Sequence, residues 1–269
     1  MGEILCSTGA IIGKANNRNY RLLEDLSKKL TCDGFEFMMY GSWYEEADEL
    51  VRTLQEMKLS IPVVHCEKHI GEYVSAGDFK EACRLFEINC DMAKRLNAKK
   101  LVLHLWSGII SDSNFANNIE GYAYLKDIAD DYGLDLTVEN VICNRENPMK
   151  HLVELAEVYP DIHFTFDTKM AAFHGQLELL YVSEYEWLWK NGHIRHYHVN
   201  DYVGGYMDWR NMSARPLGVG HVDFEKFFEF IRKTGYNDTF TIEATAVGTD
   251  GVVDTELLNR QFEFVRNKL

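Results

Sequence analysis

The chain has no run of about 18 consecutive apolar residues, so it lacks the stretch from which a membrane-spanning helix is made. Met1 to Ile12 lack the basic segment followed by a long apolar one that marks an export signal. Neither membrane insertion nor export is expected. The six cysteines (Cys6, Cys32, Cys66, Cys83, Cys90 and Cys143) form no CxxC pair and no spacing of a secreted disulfide scaffold. That argues against a thiolate metal site and for reduced thiols in the cytoplasm. Basic residues are also short: 28 Lys and Arg stand against 42 Asp and Glu, a net charge of −14. Basic pairs, among them Lys28-Lys29, Lys99-Lys100 and Arg232-Lys233, are scattered in or beside expected helices. A phosphate backbone would be repelled, so nucleic acid is not an expected partner. With four prolines and no low-complexity run, no linker divides the 269 residues.

What the chain does have is core material. Hydrophobic residues make up 46 % and charged ones 26 %, a globular balance that leaves general disorder unexpected. Short β-like runs alternate with amphipathic stretches from end to end. The runs are Ile4 to Ser7, Gly34 to Met39, Ile61 to His65, Lys100 to His104, Asp135 to Glu139, Ile162 to Asp167, Ile194 to Asn200 and Thr239 to Glu243. Between them, Phe79, Ala82, Cys83, Phe86, Cys90 and Ala93 recur at helical spacing, as do Phe224, Phe227, Phe228 and Ile231. Ser42 to Glu45 has the pattern of a capping box and predicts a helix start. Eight strands alternating with helices predict a single-domain (β/α)8 barrel over residues 1–269. Between the sixth and seventh strands, Gln176 to Lys190 predicts an irregular segment. Its Tyr181, Tyr185, Trp187 and Trp189 read as packing or as a surface between copies of the chain. The stretch from Tyr202 to His221 exceeds an ordinary βα turn and predicts an active-site loop.

In such a barrel functional side chains gather at the carboxyl ends of the strands. Those ends carry His65, His104, Glu139, Asp167, His198 and Glu243. The last four are separated by 28, 31 and 45 residues, close to one strand-helix unit each with the third lengthened by the long loop. Three carboxylates and an imidazole converging on one cavity repel each other and lose hydration unless a cation joins them. Oxygen and imidazole ligands without thiolate suit Mn²⁺, Mg²⁺, Co²⁺ or Zn²⁺. Thr137, Thr165, His196 and Thr241 lie one pleat deeper and are expected to orient these ligands. Gly218-Val219-Gly220 resembles part of a dinucleotide fingerprint, but its third glycine is missing and no strand directly precedes it.

Five motifs, Val138-Glu139-Asn140, Phe166-Asp167-Thr168, His198-Val199-Asn200-Asp201, Arg215 to Phe224 and Thr241-Ile242-Glu243, resemble in order those of the xylose-isomerase-like TIM barrels. That superfamily includes sugar isomerases and ketose 3-epimerases, inosose dehydratases and metal-dependent apurinic-site endonucleases. The resemblance implies one divalent metal on Glu139, Asp167, His198 and Glu243, with the two glutamates shuttling a proton beside the carbonyl of a small sugar or polyol. It also implies that Arg215 contacts the substrate or supports a glutamate; His65 and His104, from their strand ends, are expected to contact the substrate, with His196, one pleat deeper, in support. A cyclitol dehydratase, an endonuclease and a non-catalytic sugar-binding barrel are the alternatives. Two departures stand out. The position three residues after Asp167, often His in the family, is Met170, with Lys169 before it and His174 further on. Met212 to Pro216 lacks the Asp-x-His pair of the endonuclease branch.

Overall fold

Alternation along short strands decides which side chains enter the barrel. The computed structural model describes residues 2–107 and 110–269. Its strands are β1 (Glu3–Ser7), β2 (Gly34–Met38), β3 (Val63–His65), β4 (Lys100–Leu103), β5 (Asp135–Glu139), β6 (His163–Asp167), β7 (Ile194–Val199) and β8 (Thr239–Ile242). All pair in parallel with their sequence neighbours, and β8 pairs with β1 to close the barrel. The boundaries fall within a residue or two of the sequence expectation.

On β2, Phe35 and Phe37 join the large apolar core between sheet and helices. Glu36, between them, points to the barrel axis, where it meets His196, His198 and Thr241. Leu5, Val63 and Val102 form a small apolar cluster of their own. Lys100 Nζ donates to Thr239 Oγ1 at 2.9 Å and pairs with Asp238 at 2.6 Å, tying β4 to the start of β8. Polar residues then rise from this level towards the carboxyl ends.

Outside, the helices Phe79–Arg95 and Phe224–Thr234 bury the stripes expected of them, with Phe79 and Cys83 only partly covered. Asp78 and Asp223 cap these helices by accepting from Glu81 and Lys226 amides. The capping box expected at Ser42 is not formed. Gly41–Glu46 is a 3₁₀ segment, and the helix proper is Ala47–Met57, with no side-chain cap. Trp43 explains the difference: its indole is buried against Tyr20, Phe37 and Tyr40, holding this stretch in a tighter turn. After Asp167 comes a short helix, Thr168–Phe173, then two 3₁₀ turns and a four-residue helix, Trp187–Lys190, which gives the irregular sixth connection. Tyr181 and Trp189 pack edge-on against Phe230, so this aromatic group serves packing.

The long loop after β7 is hung from one carboxylate. Asp201, fully buried, accepts from the amides of Tyr202, Gly218, Gly220 and Val222. Glycine is required at 220 because an added Cβ would stand 2.2 Å from the Tyr202 carbonyl oxygen. Gly218 has φ +83°, open to glycine at no steric cost. The glycine pair that resembled a nucleotide fingerprint therefore presents its amides to a carboxylate of the same chain.

Candidate active site

Three strand ends and one carboxylate from a layer below converge on the two nitrogens of His198. Its Nδ1 lies 3.1 Å from Glu139 Oε1, 3.7 Å from Glu243 Oε2 and 3.9 Å from Asp167 Oδ2. Its Nε2 lies 3.1 Å from both oxygens of Glu36. Ligand atoms of Glu139, Asp167 and His198 fall within 4.8 Å of one another, a spacing that one ion could span.

The electrostatics fit a site that a cation would suit. Burial pushes the Asp167 carboxyl up to about 7; Lys169 opposes the rise, and Glu139 and Glu243 add to it. Burial also acts against the charge on Glu139, but His198 and His104 outweigh it and hold this carboxyl well below the usual range. His198 shows the converse: burial favours the neutral ring, and Glu36, Glu243 and Glu139 together raise its pKa well above normal. A proton on His198 thus does part of what a divalent ion would do in the same place. The donor set of three carboxylates and one imidazole, without thiolate, matches a hard or borderline divalent metal.

The supporting contacts are not those expected from strand position alone. Thr137 and Thr165 bond each other at 2.7 Å rather than the carboxylates. Orientation of Asp167 and Glu243 comes from two asparagines. Asn200 Nδ2 donates to Asp167 Oδ2 at 2.9 Å and to Glu243 Oε2 at 2.7 Å, and Asn140 Oδ1 accepts from the Asp167 amide at 2.6 Å. His196 and Thr241 act one step removed, through Glu36 Oε2, at 2.7 and 2.6 Å. Sequence reasoning missed Glu36. The visible signal was a single glutamate alternating with Phe35 and Phe37 in a strand otherwise apolar to the outside.

His104 and His65 sit on the far side of Glu139, with Nε2 atoms 2.7 and 3.4 Å from its Oε2. Burial pushes His104 down, with Glu139 opposing. Both histidines line a cavity of about 180 Å³ together with Tyr40, Glu139, Lys169, Met170 and Glu243. Arg215 is placed elsewhere. Its backbone bridges to Asp201, its buried Nε has no partner, and among the described residues it forms no ion pair with a glutamate. His174 does not take the place left by Met170, because its Nε2 accepts from the Cys143 amide at 3.1 Å.

Away from these overlapping groups, the buried trio Asp112, Cys143 and His151 also has the spacing of a metal site. Asp112 is already occupied: it accepts from the amides of Asn144, Arg145 and Glu146 and faces His151 Nε2 at 3.0 Å. This is a latch holding the loop after β5.

The model of the xylose isomerase-like TIM barrel family matches residues 25–267. The chain belongs to that family. Among curated proteins, this xylose isomerase-like barrel is 25 % identical over 212 residues to an uncharacterized protein of Methanocaldococcus jannaschii, covering 73 % of this chain and 69 % of the other. Among solved structures, D-allulose 3-epimerase from Methylomonas sp., in complex with D-allulose, superimposes with a TM-score of 0.70 at 17 % identity, over 100 % of this chain and 97 % of that one. The IOLI protein with a bound zinc atom superimposes with a TM-score of 0.69 at 14 % identity, over 99 % and 97 %. At these identities the superpositions speak for the shared fold. No helix among the described residues is long and apolar enough to cross a membrane.

Proposed function

We propose that this barrel is a cytoplasmic, divalent-metal-dependent isomerase or epimerase of a small sugar or polyol. One observation carries the proposal: two glutamates on walls three strands apart, Glu139 and Glu243, face the same cavity and the same imidazole nitrogen. A binding protein has no need of two opposed bases, whereas inversion or migration of a proton beside a carbonyl does. Similarity to a barrel solved with D-allulose and to one solved with zinc supports the substrate class and the metal.

Glu139, Asp167, His198 and Glu243 would hold the ion. When bound, it would supply Lewis-acid polarisation of the substrate carbonyl, easing removal of the adjacent proton. The chain's own groups do the rest. One glutamate takes the proton from the carbon next to the carbonyl, and the other returns it, from the opposite face for epimerisation. Asn200, bonded to both Asp167 and Glu243, keeps the acceptor oxygens of β6 and β8 in register. Glu36 accepts from His198 Nε2–H and leaves Nδ1 free to serve as ligand. His65 and His104 are assigned to substrate hydroxyls beside Glu139.

The test is metal analysis of the purified protein, followed by NMR detection of deuterium incorporated from heavy water into a panel of ketoses and cyclitols. One divalent ion per chain and a labelled carbon in at least one ketose are expected, with Glu139→Gln and Glu243→Gln each abolishing labelling. Loss of water from the product would reassign the chain to dehydration. Absence of metal together with unaltered labelling in both variants would overturn the proposal.

A further inference from the structure

A third glutamate stands on the wall of the cavity. Glu67, two residues beyond His65, lines it together with Glu139 and Glu243, but belongs to none of the groups spaced to share an ion. It is 4 % exposed. Among the described residues the other buried acidic side chains are Glu36, Asp112, Glu139, Asp167 and Asp201. Each of these takes hydrogen bonds from at least two residues. Both bonds that reach Glu67 come from one residue, His69, whose Nδ1 lies 2.6 Å from Oε1 and whose amide donates to Oε2 at 3.1 Å.

Neither bond accounts for a carboxylate buried in this place. The amide contact tethers the first turn of the helix His69–Ala76 and uses one oxygen. The other oxygen holds a ring that is 59 % exposed, and a pair open to water on one side contributes little. A carboxylate offers about four acceptor positions, so about two remain open. Buried acceptors with no donor are costly, and they persist where something supplies one. The surrounding chain does not. Asn89 accepts from the Glu67 amide at 3.3 Å, while its own NH₂ group goes to Tyr44 Oη and the Leu85 carbonyl. Gly41 passes the carboxyl group without a side chain, and an added Cβ there would lie 3.7–3.9 Å from its atoms. The backbone of Glu67 is thus fixed from behind, and one flank of its carboxylate is left uncovered.

A sugar or polyol carries donors of the kind required, in adjacent pairs that suit the two oxygens of one carboxylate. With the reacting carbon placed between Glu139 of β5 and Glu243 beyond β8, the rest of the molecule extends towards the β3 wall, where Glu67 stands. We infer that Glu67 is a specificity-determining residue, accepting hydrogen bonds from substrate hydroxyls at the end remote from the reacting carbonyl. The inference rests on the reading of the cavity as a sugar site, and it adds a required hydroxyl on the β3 side. A substrate lacking that hydroxyl is discriminated against.

D-allulose and its 4-, 5- and 6-deoxy analogues, titrated calorimetrically into the full chain loaded with Mn²⁺, test this. At least one deoxy sugar is expected to bind about tenfold or more weakly than D-allulose, because it leaves the carboxylate without its donor. In Glu67→Ala that ratio should fall to about twofold or less, through loss of D-allulose affinity with the deoxy sugar unaffected. Glu67→Gln keeps one acceptor oxygen and should show an intermediate ratio. If Glu67 only tethers the helix, each variant shifts all the sugars alike and the ratio survives, which would overturn the inference. Thermal melting checks the fold, and Glu67→Gln carries the test if Glu67→Ala fails to fold. Equal binding of all the sugars by the unaltered chain, or binding of none, would also overturn it. The deuterium-labelling experiment keeps the two claims apart. A labelled ketose together with a ratio unchanged in both variants removes the role of Glu67 and leaves the isomerase reading. A ratio that collapses in a protein labelling no sugar does the reverse.

Discussion

His198 Nε2 lies 3.1 Å from both oxygens of Glu36, so an imidazole at the top of the barrel rests on a carboxylate one layer below. Burial works against a charge on Glu36, but His198 and His196 hold its carboxyl well below the ordinary range. An ionised Glu36 fixes the proton of His198 on Nε2 and turns Nδ1 towards Glu139, Asp167 and Glu243. Partners of this kind are worth about 10- to 100-fold in metal affinity. Glu36→Gln is therefore expected to weaken Mn²⁺ or Zn²⁺ binding by that factor in competition with a chelating dye, with the circular dichroism unchanged. Unaltered affinity would show that Glu36 only fills the barrel.

Metal uptake should release protons. Without the ion, Asp167 titrates at about 7 and His198 stays protonated above its usual range, so at neutral pH both must lose protons before they can ligate. Affinity is then expected to rise with pH through 7, each displaced proton contributing about a tenfold change per pH unit. Calorimetry in buffers of different ionisation enthalpy counts the protons directly. A count of zero at pH 7 would contradict the arrangement.

Asp201 gives a prediction about the long loop. Its Oδ2 accepts from the Gly218 and Gly220 amides, both at 2.8 Å, and its Oδ1 from those of Tyr202 and Val222 at 2.8 and 3.1 Å. Asp201→Asn must turn an NH₂ group towards one of these amide pairs, at a cost of about 1–3 kcal/mol. Hydrogen exchange of the Gly218 and Gly220 amides should accelerate by about tenfold or more, while the helix Phe79–Arg95 stays protected.

The Asp112 latch predicts an acid limb in stability. Burial raises its carboxyl, but His151 and the amides of Glu146, Asn144 and Arg145 outweigh this and lower it from 3.8 to about 2. A depressed carboxyl contributes stability above its unfolded value, and that contribution is lost as pH falls from about 4 through about 2. It amounts to about 1–2 kcal/mol. Urea denaturation of Asp112→Asn should show this deficit at pH 7 and a smaller one at pH 2.5.

The barrel was legible because strands and helices alternate with a period that few folds share. Four strand ends carry ligand-type residues at nearly that period, which made Glu139, Asp167, His198 and Glu243 visible as a group. What stayed hidden depends on pairs distant in sequence. Glu36 meets His198 across 162 residues and Thr241 across 205, and no local pattern encodes either contact. Asn140 and Asn200 stood within motifs quoted for the family, but their role follows from side chains reaching across neighbouring strands. Ser42 misled because a capping pattern is local, whereas the burial of Trp43 is tertiary.

The central claim is that one divalent ion joins four strand ends, and anomalous diffraction from crystals grown with Mn²⁺ tests it most directly. The predicted result is one strong peak per chain, about 2.0–2.3 Å from Glu139, Asp167, His198 Nδ1 and Glu243. A map with no peak there, or with its peak at Asp112, Cys143 and His151, would contradict it.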